Sequence, residues 1–333
     1  MNEDLADEVG SAVQTILRDH ASSAAGGFDS LLWQELIATG FHLIGVPEKA
    51  GGSGGGLREA AAVIEVAAFH AAAVPVTETA LLAGWLVDRA GLPMPDGLTA
   101  VSLDTADLRG SRLSGRLRVP WGRHADHVVA LTGDGTAMVT TVAGAHVEPG
   151  ENLAGEPRDI LVFDDVPVMS AAPAGVDAWV LQLRGALGRS VQMAGAAGAV
   201  LESARRHVAD RVQFGRPLAR FQAVQQHLAA LAAEVTAMRV GADAAVLAAA
   251  AGDAPLAVAA AKVTASSGAA VVAAIGHQLH GALGYSAEHR LGAVTTRLWS
   301  WREEFGNESH WQDRLGADIV RHGAWWPVVT GDG

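Results

Sequence analysis

Hydrophobic positions recur with a helical period over most of the chain and switch to a shorter rhythm in its middle. Residues 3 to about 92 read as helices with short breaks. Leu32, Leu36 and Ile37 form a helical stripe, His42 to Pro47 is a short apolar connector, and Gly51 to Gly56 is a loop. From Thr99 to about Val168 the runs are strand-like, at 100–103, 112–119, 127–131, 137–142 and 160–163. Gly133-Asp134-Gly135 between two of them predicts a hairpin. Helical spacing returns from about Val176. Val224, Leu228, Leu231, Val235 and Met238 advance by 4, 3, 4 and 3, the spacing of a seam packed on other helices. Helices are predicted over about 190–210, 223–250, 254–278 and 287–303. The expected fold is mainly α with a β insert. It has an N-terminal helical domain over 1–95, a small antiparallel β domain over 96–172 and a C-terminal four-helix bundle over 173–333.

Composition narrows the function classes. Half of the 333 residues are hydrophobic, so a large core is available. The formal net charge of −12 argues against general nucleic-acid binding. Lysine occurs only at Lys49 and Lys262, so the positive charge is nearly all arginine. Planar guanidinium groups suit a few placed anion contacts better than a diffuse basic face. With no cysteine, disulfides, thiolate chemistry and Cys-ligated zinc are excluded. The thirteen histidines lack the His-Glu-x-x-His spacing of a helical metal site, and no metal is expected. The glycine run at 51–56 lacks the Gly-Lys-Ser/Thr ending of a P-loop. The acidic start Met1-Asn2-Glu3-Asp4 is unlike a signal peptide, and polar residues interrupt the apolar stretches. No membrane span and a cytoplasmic setting are expected.

The stretch richest in chemistry is 211–222, between two Ala-rich helical patterns. Gly215 and Pro217 stop one helix and turn the chain. The turn gathers Arg211, Phe214 and Gln222: a guanidinium for phosphate, a ring, and an amide suited to a heterocycle edge. The plain alternative is a helical hairpin with solvated arginines.

Arg211-x-x-Phe214-Gly215, with Phe221-Gln222 seven residues beyond the first Phe, resembles the flavin-contacting turn of the acyl-CoA dehydrogenase family. Leu32-Trp33-x-x-Leu36 leading to Gly45-Val46-Pro47-Glu48-x-x-Gly51-Gly52 resembles the family's N-terminal helices. Gln278-x-x-Gly281-x-x-Gly284-Tyr285 resembles its Gln-x-x-Gly-Gly-x-Gly-Tyr segment, with Ala282 in place of the second glycine. The likeness covers most of the chain and lies in the order and spacing of the motifs. It implies an FAD-dependent α,β-dehydrogenation of an acyl-CoA thioester, with an electron-transfer-flavoprotein-like acceptor.

That chemistry needs a carboxylate to take the α-proton. The resemblance places the family's Glu at one of two positions, after the last bundle helix or before an arginine that opens the bundle. Here these positions are Gly306 and Gly188, the latter preceding Arg189. Glu303, Glu304 and Glu308 lie close enough to substitute after a small shift, Glu304 and Glu308 being the candidates for a displaced base. The family's ring-gripping loop and Trp-Ile-Thr-like strand end are replaced by Ser102-Leu103-Asp104-Thr105-Ala106-Asp107 and Val119-Pro120-Trp121. What is kept is what family members extend across an interface to a neighbour's FAD: Arg211, Gln213, Phe214, Gln222, Gln278 and Gly281. The resemblance therefore implies a base-less subunit of a heteromeric enzyme, sharing FAD with a longer acyl-CoA dehydrogenase subunit that carries the Glu. Some such heterotetramers act on steroid-side-chain thioesters. A homomeric enzyme with a displaced base, and a non-enzymatic scaffold on the same fold, remain the alternatives. Trp299, Trp301, Trp311, Trp325 and Trp326 read either as an interface or as core around the bundle's end. His277 and His280 read as helix-end residues beside a phosphate.

Overall fold

The computed structural model describes residues 2–20, 27–286 and 289–322. The chain divides into two compact units, Met1–Gly188 and Arg189–Gly333. The first opens with α1 (Asn2–Asp19), α2 (Ser30–Ala38) and α3 (Leu57–Phe69). Asp29 caps α2 by accepting from the Leu32 N–H at 3.0 Å, and the Glu59 carboxylate accepts from the Gly56 N–H at 2.7 Å to start α3. The glycine run between α2 and α3 is a plain loop. Its amides are spent internally, Gly45 N–H on the Gly54 carbonyl and Gly54 N–H on that of Val46. A π-helix then covers Thr77–Gly84, wholly buried, and passes into α4 (Trp85–Arg89). Nothing in the spacing announces that wider turn. Arg184 donates through Nε to the Leu81 carbonyl at 2.7 Å.

The β module matches the predicted stretch. It comprises β1 (Thr99–Val101), β2 (Leu108–Arg109), β3 (Arg112–Pro120), β4 (His127–Leu131), β5 (Thr136–Thr141), β6 (His146–Glu148), β7 (Arg158–Pro167) and β8 (Ser170–Pro173). Two four-stranded sheets form, ordered β1-β4-β5-β8 and β2-β3-β7-β6. The pairing is antiparallel except that β1 lies parallel to β4, a departure from the expected all-antiparallel module. Alternate residues, including Leu113, Leu117, Val128, Met138, Leu161 and Phe163, point into one shared core. The predicted hairpin joins β4 to β5, with Gly135 at φ +82°.

Helix α5 (Ala178–Asp210) starts earlier than its periodicity suggests and runs into the second unit. There follow a minute hairpin of β9 (Val212–Gln213) and β10 (Arg216–Pro217), then α6 (Gln222–Ala251), α7 (Pro255–His280), a 3-10 turn Gly281–Tyr285, α8 (Arg290–Glu303) and α9 (Glu308–His322). The seam residues Leu231, Val235 and Met238 are buried, as their spacing requires. Helix α9 lies beyond the four predicted. Trp311, fully buried, anchors it, while most of its other positions are polar and exposed. Contrary to the sequence reading, Pro255–Tyr285 is long and apolar enough to cross a membrane by length and composition. Yet 56% of its most apolar window is buried, and α7 packs on α6, α8 and α9, which is the pattern of a bundle's central helix.

Candidate functional site

The turn after α5 is a two-residue hairpin in which Gln213 pairs with Arg216 and Val212 with Pro217. Its tip, Phe214 and Gly215, is left-handed at φ +52° and +78°. A primed turn needs positive φ at both central residues. Glycine takes that conformation freely, whereas a phenylalanine loses about 1–2 kcal/mol by it. Nor does burial explain the Phe, since its ring is 89% exposed. It meets only an edge of Phe221, centroids 6.0 Å apart, while the Arg216 guanidinium lies 4.1 Å over Phe221. Strained backbone of this kind clusters at functional sites.

Helices α6 and α7 are joined by three residues and run antiparallel, with Gly241 against Ala261 and Met238 against Gly268. The start of α6 and the end of α7 therefore share one end of the unit. Gln222 is the first residue of α6, and no side chain caps that helix. Gln278 sits in the last turn of α7, and Gly281 beyond it adopts φ +60°, ψ −142°, in open space. Arg211, Gln213, Phe214, Gln222, Gln278 and Gly281 are thus gathered at one end of the second unit, all exposed.

The two positions that the resemblance assigns to a base are crowded. A Cβ at Gly188 would lie 2.7 Å from Leu81 Cδ2 and 2.8 Å from Thr77 Cγ2. At Gly306 the backbone sits at φ +93°, and a Cβ would lie 2.6 Å from His310 Cδ2 and 2.8 Å from Trp311 Nε1. A side chain at either glycine would force its neighbours to shift. The nearby carboxylates are engaged. Glu304 accepts from Arg189 Nε and Nη2, both at 2.7 Å, and Arg189 is only 1% exposed. The Phe305 ring covers that guanidinium at 5.5 Å. Glu308 accepts from Arg302 Nε at 2.9 Å, and hydrogen bonding by Arg302 holds its carboxyl below the ordinary range. Glu303 is exposed and bonded to Arg302 and Asn307. A carboxylate stabilised by an arginine is a weaker base than a free one.

Sequence reasoning passed over the ammonium beneath this turn. Lys262 is fully buried and donates from Nζ to Ser266 Oγ at 3.0 Å and to the Trp301 and Arg302 carbonyls at 3.2 and 2.8 Å. Two of its three donors satisfy carbonyls at the C-terminus of α8. Burial, with Arg189 nearby, pushes its pKa down to about 7. The available signal was a lone lysine inside an apolar, Ala-rich helix. Of the tryptophans, Trp301 and Trp311 are core and Trp299 is partly exposed, while Trp325 and Trp326 fall outside the described residues. His277 and His280 join His207 and His289 in a group that sequence spacing did not suggest.

In the first unit, the positions corresponding to a ring grip are closed on themselves. Asp104 accepts from the Arg118 backbone at 2.8 Å and from its Nε at 2.9 Å. Burial alone would raise the Asp104 carboxyl, but the Arg118 hydrogen bonds bring it below its usual value. Trp121, left-handed at φ +63° and 2% exposed, is packed edge-on to Phe28 at 6.2 Å. Phe28 in turn stacks on His124 at 4.7 Å.

Two family models match the chain: "Acyl-CoA dehydrogenase, N-terminal domain" over residues 2–93 and "Acyl-CoA dehydrogenase, C-terminal domain" over residues 183–307. The chain belongs to the acyl-CoA dehydrogenase family. The family's reaction is an oxidation at a CH–CH bond. Among its relatives is acyl-CoA dehydrogenase IpdE2 of Mycobacterium tuberculosis, 28% identical over 289 residues, which are 83% of this chain and 85% of that one. Among solved structures it is similar to the Tcur3481–Tcur3483 steroid ACAD G363A variant, at 27% identity and a TM-score of 0.84, covering 97% and 99% of the two chains. The ChsE4–ChsE5 complex of Mycobacterium tuberculosis shares the fold at 24% identity and a TM-score of 0.81, covering 95% and 97%.

Proposed function

We propose that this chain is the base-less subunit of a heteromeric, FAD-dependent acyl-CoA dehydrogenase. In this reading it completes the FAD site of a longer subunit that carries the catalytic Glu. One observation carries the reading: both positions that the resemblance assigns to a base are glycines crowded by their neighbours, while the residues suited to a neighbour's cofactor stand exposed at one end of the second unit. The fit to FAD is one-sided. The exposed arginine, ring and amides suit a dinucleotide's pyrophosphate and adenine, whereas Trp121 and Asp104 are committed to their own neighbours.

When bound, FAD supplies the hydride acceptor for α,β-dehydrogenation of an acyl-CoA. Arg211 would neutralise phosphate oxygens, and Gln222 and Gln278 would meet polar edges through their amides. Gly281 would let the backbone approach closely, because no side chain stands there. The α-proton would be taken by the partner's carboxylate, since Glu304 and Glu308 are bound to arginines. Lending residues would come from the proposed domain 173–333. The related steroid ACAD complex supports a bulky acyl group, the absence of cysteine fits a cytoplasmic setting, and the family resemblance implies an electron-transfer-flavoprotein-like acceptor.

The test is the flavin-to-protein absorbance ratio after gel filtration of the chain alone and of the chain co-expressed with a longer, Glu-bearing family member. Little flavin in the lone chain and stoichiometric flavin in the pair is expected. A yellow, active lone chain would establish the homomeric alternative instead, and a colourless pair the scaffold.

A further inference from the structure

Four imidazoles meet where α5, α7 and α8 come together in the second unit. His207 is on α5, His277 and His280 are in the last turn of α7, and His289 is the N-cap of α8. His280, 4% exposed, stacks on His207 at 4.8 Å and meets His289 edge-on at 4.9 Å. Its Nδ1 lies 2.7 Å from the Gly276 carbonyl, which only accepts, so Nδ1 carries the hydrogen and Nε2 faces Ser203 Oγ at 3.0 Å. The Thr295 hydroxyl donates to the Leu291 carbonyl at 3.0 Å, so His277 Nε2, 3.0 Å away, donates to that oxygen. The His277 ring also stacks on Tyr285 at 4.7 Å.

His289 matters most. Its Nδ1 accepts from the Leu291 N–H at 3.1 Å and so caps the first turn of α8. Only an unprotonated nitrogen accepts a hydrogen bond. A proton on His289 Nδ1 removes the cap and puts a positive charge at the positive end of the helix dipole. It also faces the neighbouring imidazoles. Among the described residues, the charged and titratable groups around the cluster are Asp210 and Arg211 at the end of α5, Tyr285 on the 3-10 turn and Arg290 next along α8. Asp210 is the carboxylate that bears on the group, through His207, and Arg211 works against it.

We propose that this histidine cluster is an acid-labile latch on the face that lends its residues to the neighbouring FAD, regulating the site of the reading above. With His289 unprotonated, the first turn of α8 is capped beside the end of α7, and Gln278 and Gly281 are held in place. Proton uptake at His289 releases the cap, and the start of α8 loosens. Burial, then the neighbouring imidazoles, hold His207, His277 and His289 below the ordinary 6.5. On acidification the unfolded chain therefore takes up protons before the folded one, and the stability present above pH 6.5 is lost as pH falls below it.

The experiment is hydrogen–deuterium exchange on the full chain alone, without flavin or partner, at pH 7.5 and 5.5, corrected for intrinsic exchange. Protection across residues 278–292 should fall about fivefold or more at the lower pH, the loss expected for one helix cap. His289→Asn keeps a capping acceptor that does not titrate, and should leave protection in that segment flat with pH. The same fall in wild type and variant would overturn the latch. Its coupling to the lending face is read on the assembled complex, by flavin released at pH 5.5. A latch that opens in the lone chain while the complex holds flavin equally at both pH values would overturn that coupling. Because the exchange measurement contains no flavin, its failure is separable from failure of the paired-subunit reading.

Discussion

The chain contains two Phe–Gly turns with the same unusual backbone and opposite surroundings. Phe214-Gly215 sits at φ +52° and +78°, and Phe305-Gly306 at φ +57° and +93°. Around the second pair the neighbouring polar side chains are paired. Trp311 Nε1 donates to the Phe305 carbonyl at 3.0 Å, Arg189 and Glu304 pair beneath the ring, and Lys262 holds the preceding carbonyls. Around the first, a Cβ on Gly215 would meet nothing within 4 Å, and the Phe ring stands in solvent. A strained turn persists only where something over-determines it or where its exposure is useful. The half-buried turn is determined by its neighbours. The exposed one is held by its hairpin and an edge contact with Phe221.

That contrast breaks most sharply at the glycines. Gly306→Glu, at a position the resemblance assigns to the family's base, should not create one. It should destabilise the chain by roughly 3 kcal/mol or more, since it combines overpacking with a left-handed backbone. Gly215→Ala, in open space, should cost only about 1 kcal/mol for its positive φ. Thermal or urea unfolding of the two variants reads the difference, and equal losses would show that the two turns are not differently packed. The next largest effect is at the exposed end. Arg211→Ala should weaken flavin binding by the assembled complex about tenfold or more, the loss of one charge-assisted hydrogen bond of roughly 1.5–3 kcal/mol. Fluorescence titration of apo-complex with FAD measures it, and unchanged affinity in an intact complex would make Arg211 a mere surface charge. The smallest effect sharpens the closed end. Glu304→Gln and Glu308→Gln, each in the intact complex, should keep turnover within a few-fold of wild type, whereas losing a general base costs on the order of 10²–10⁴-fold. A collapse of that size at either position would make it the base.

Features carried by local periodicity were legible in the sequence. The α6 seam, the β4–β5 hairpin and the order of helices, strands and helices all follow from spacing and turn residues. The exposed turn was legible too, because its residues fall within one short segment and one helix end. What stayed hidden depends on pairs far apart in the chain. Arg189 and Glu304 are separated by 115 positions, and Ser203 and His280 by 77. The π-helix is hidden for another reason: its residues are buried on every side, so no face alternates to reveal its period. Helix α9 escaped notice because it carries one buried anchor, Trp311, and mostly polar residues elsewhere.

Lys262 has a consequence for how the chain exchanges protons with water. In the unfolded chain its amine holds a proton up to about pH 10.5, whereas in the folded chain that proton is held only to about pH 7. Between those values folding expels a proton, and alkali favours the native state at this residue. The single amine that ties off α8 therefore makes folding release a proton on the alkaline side of neutrality.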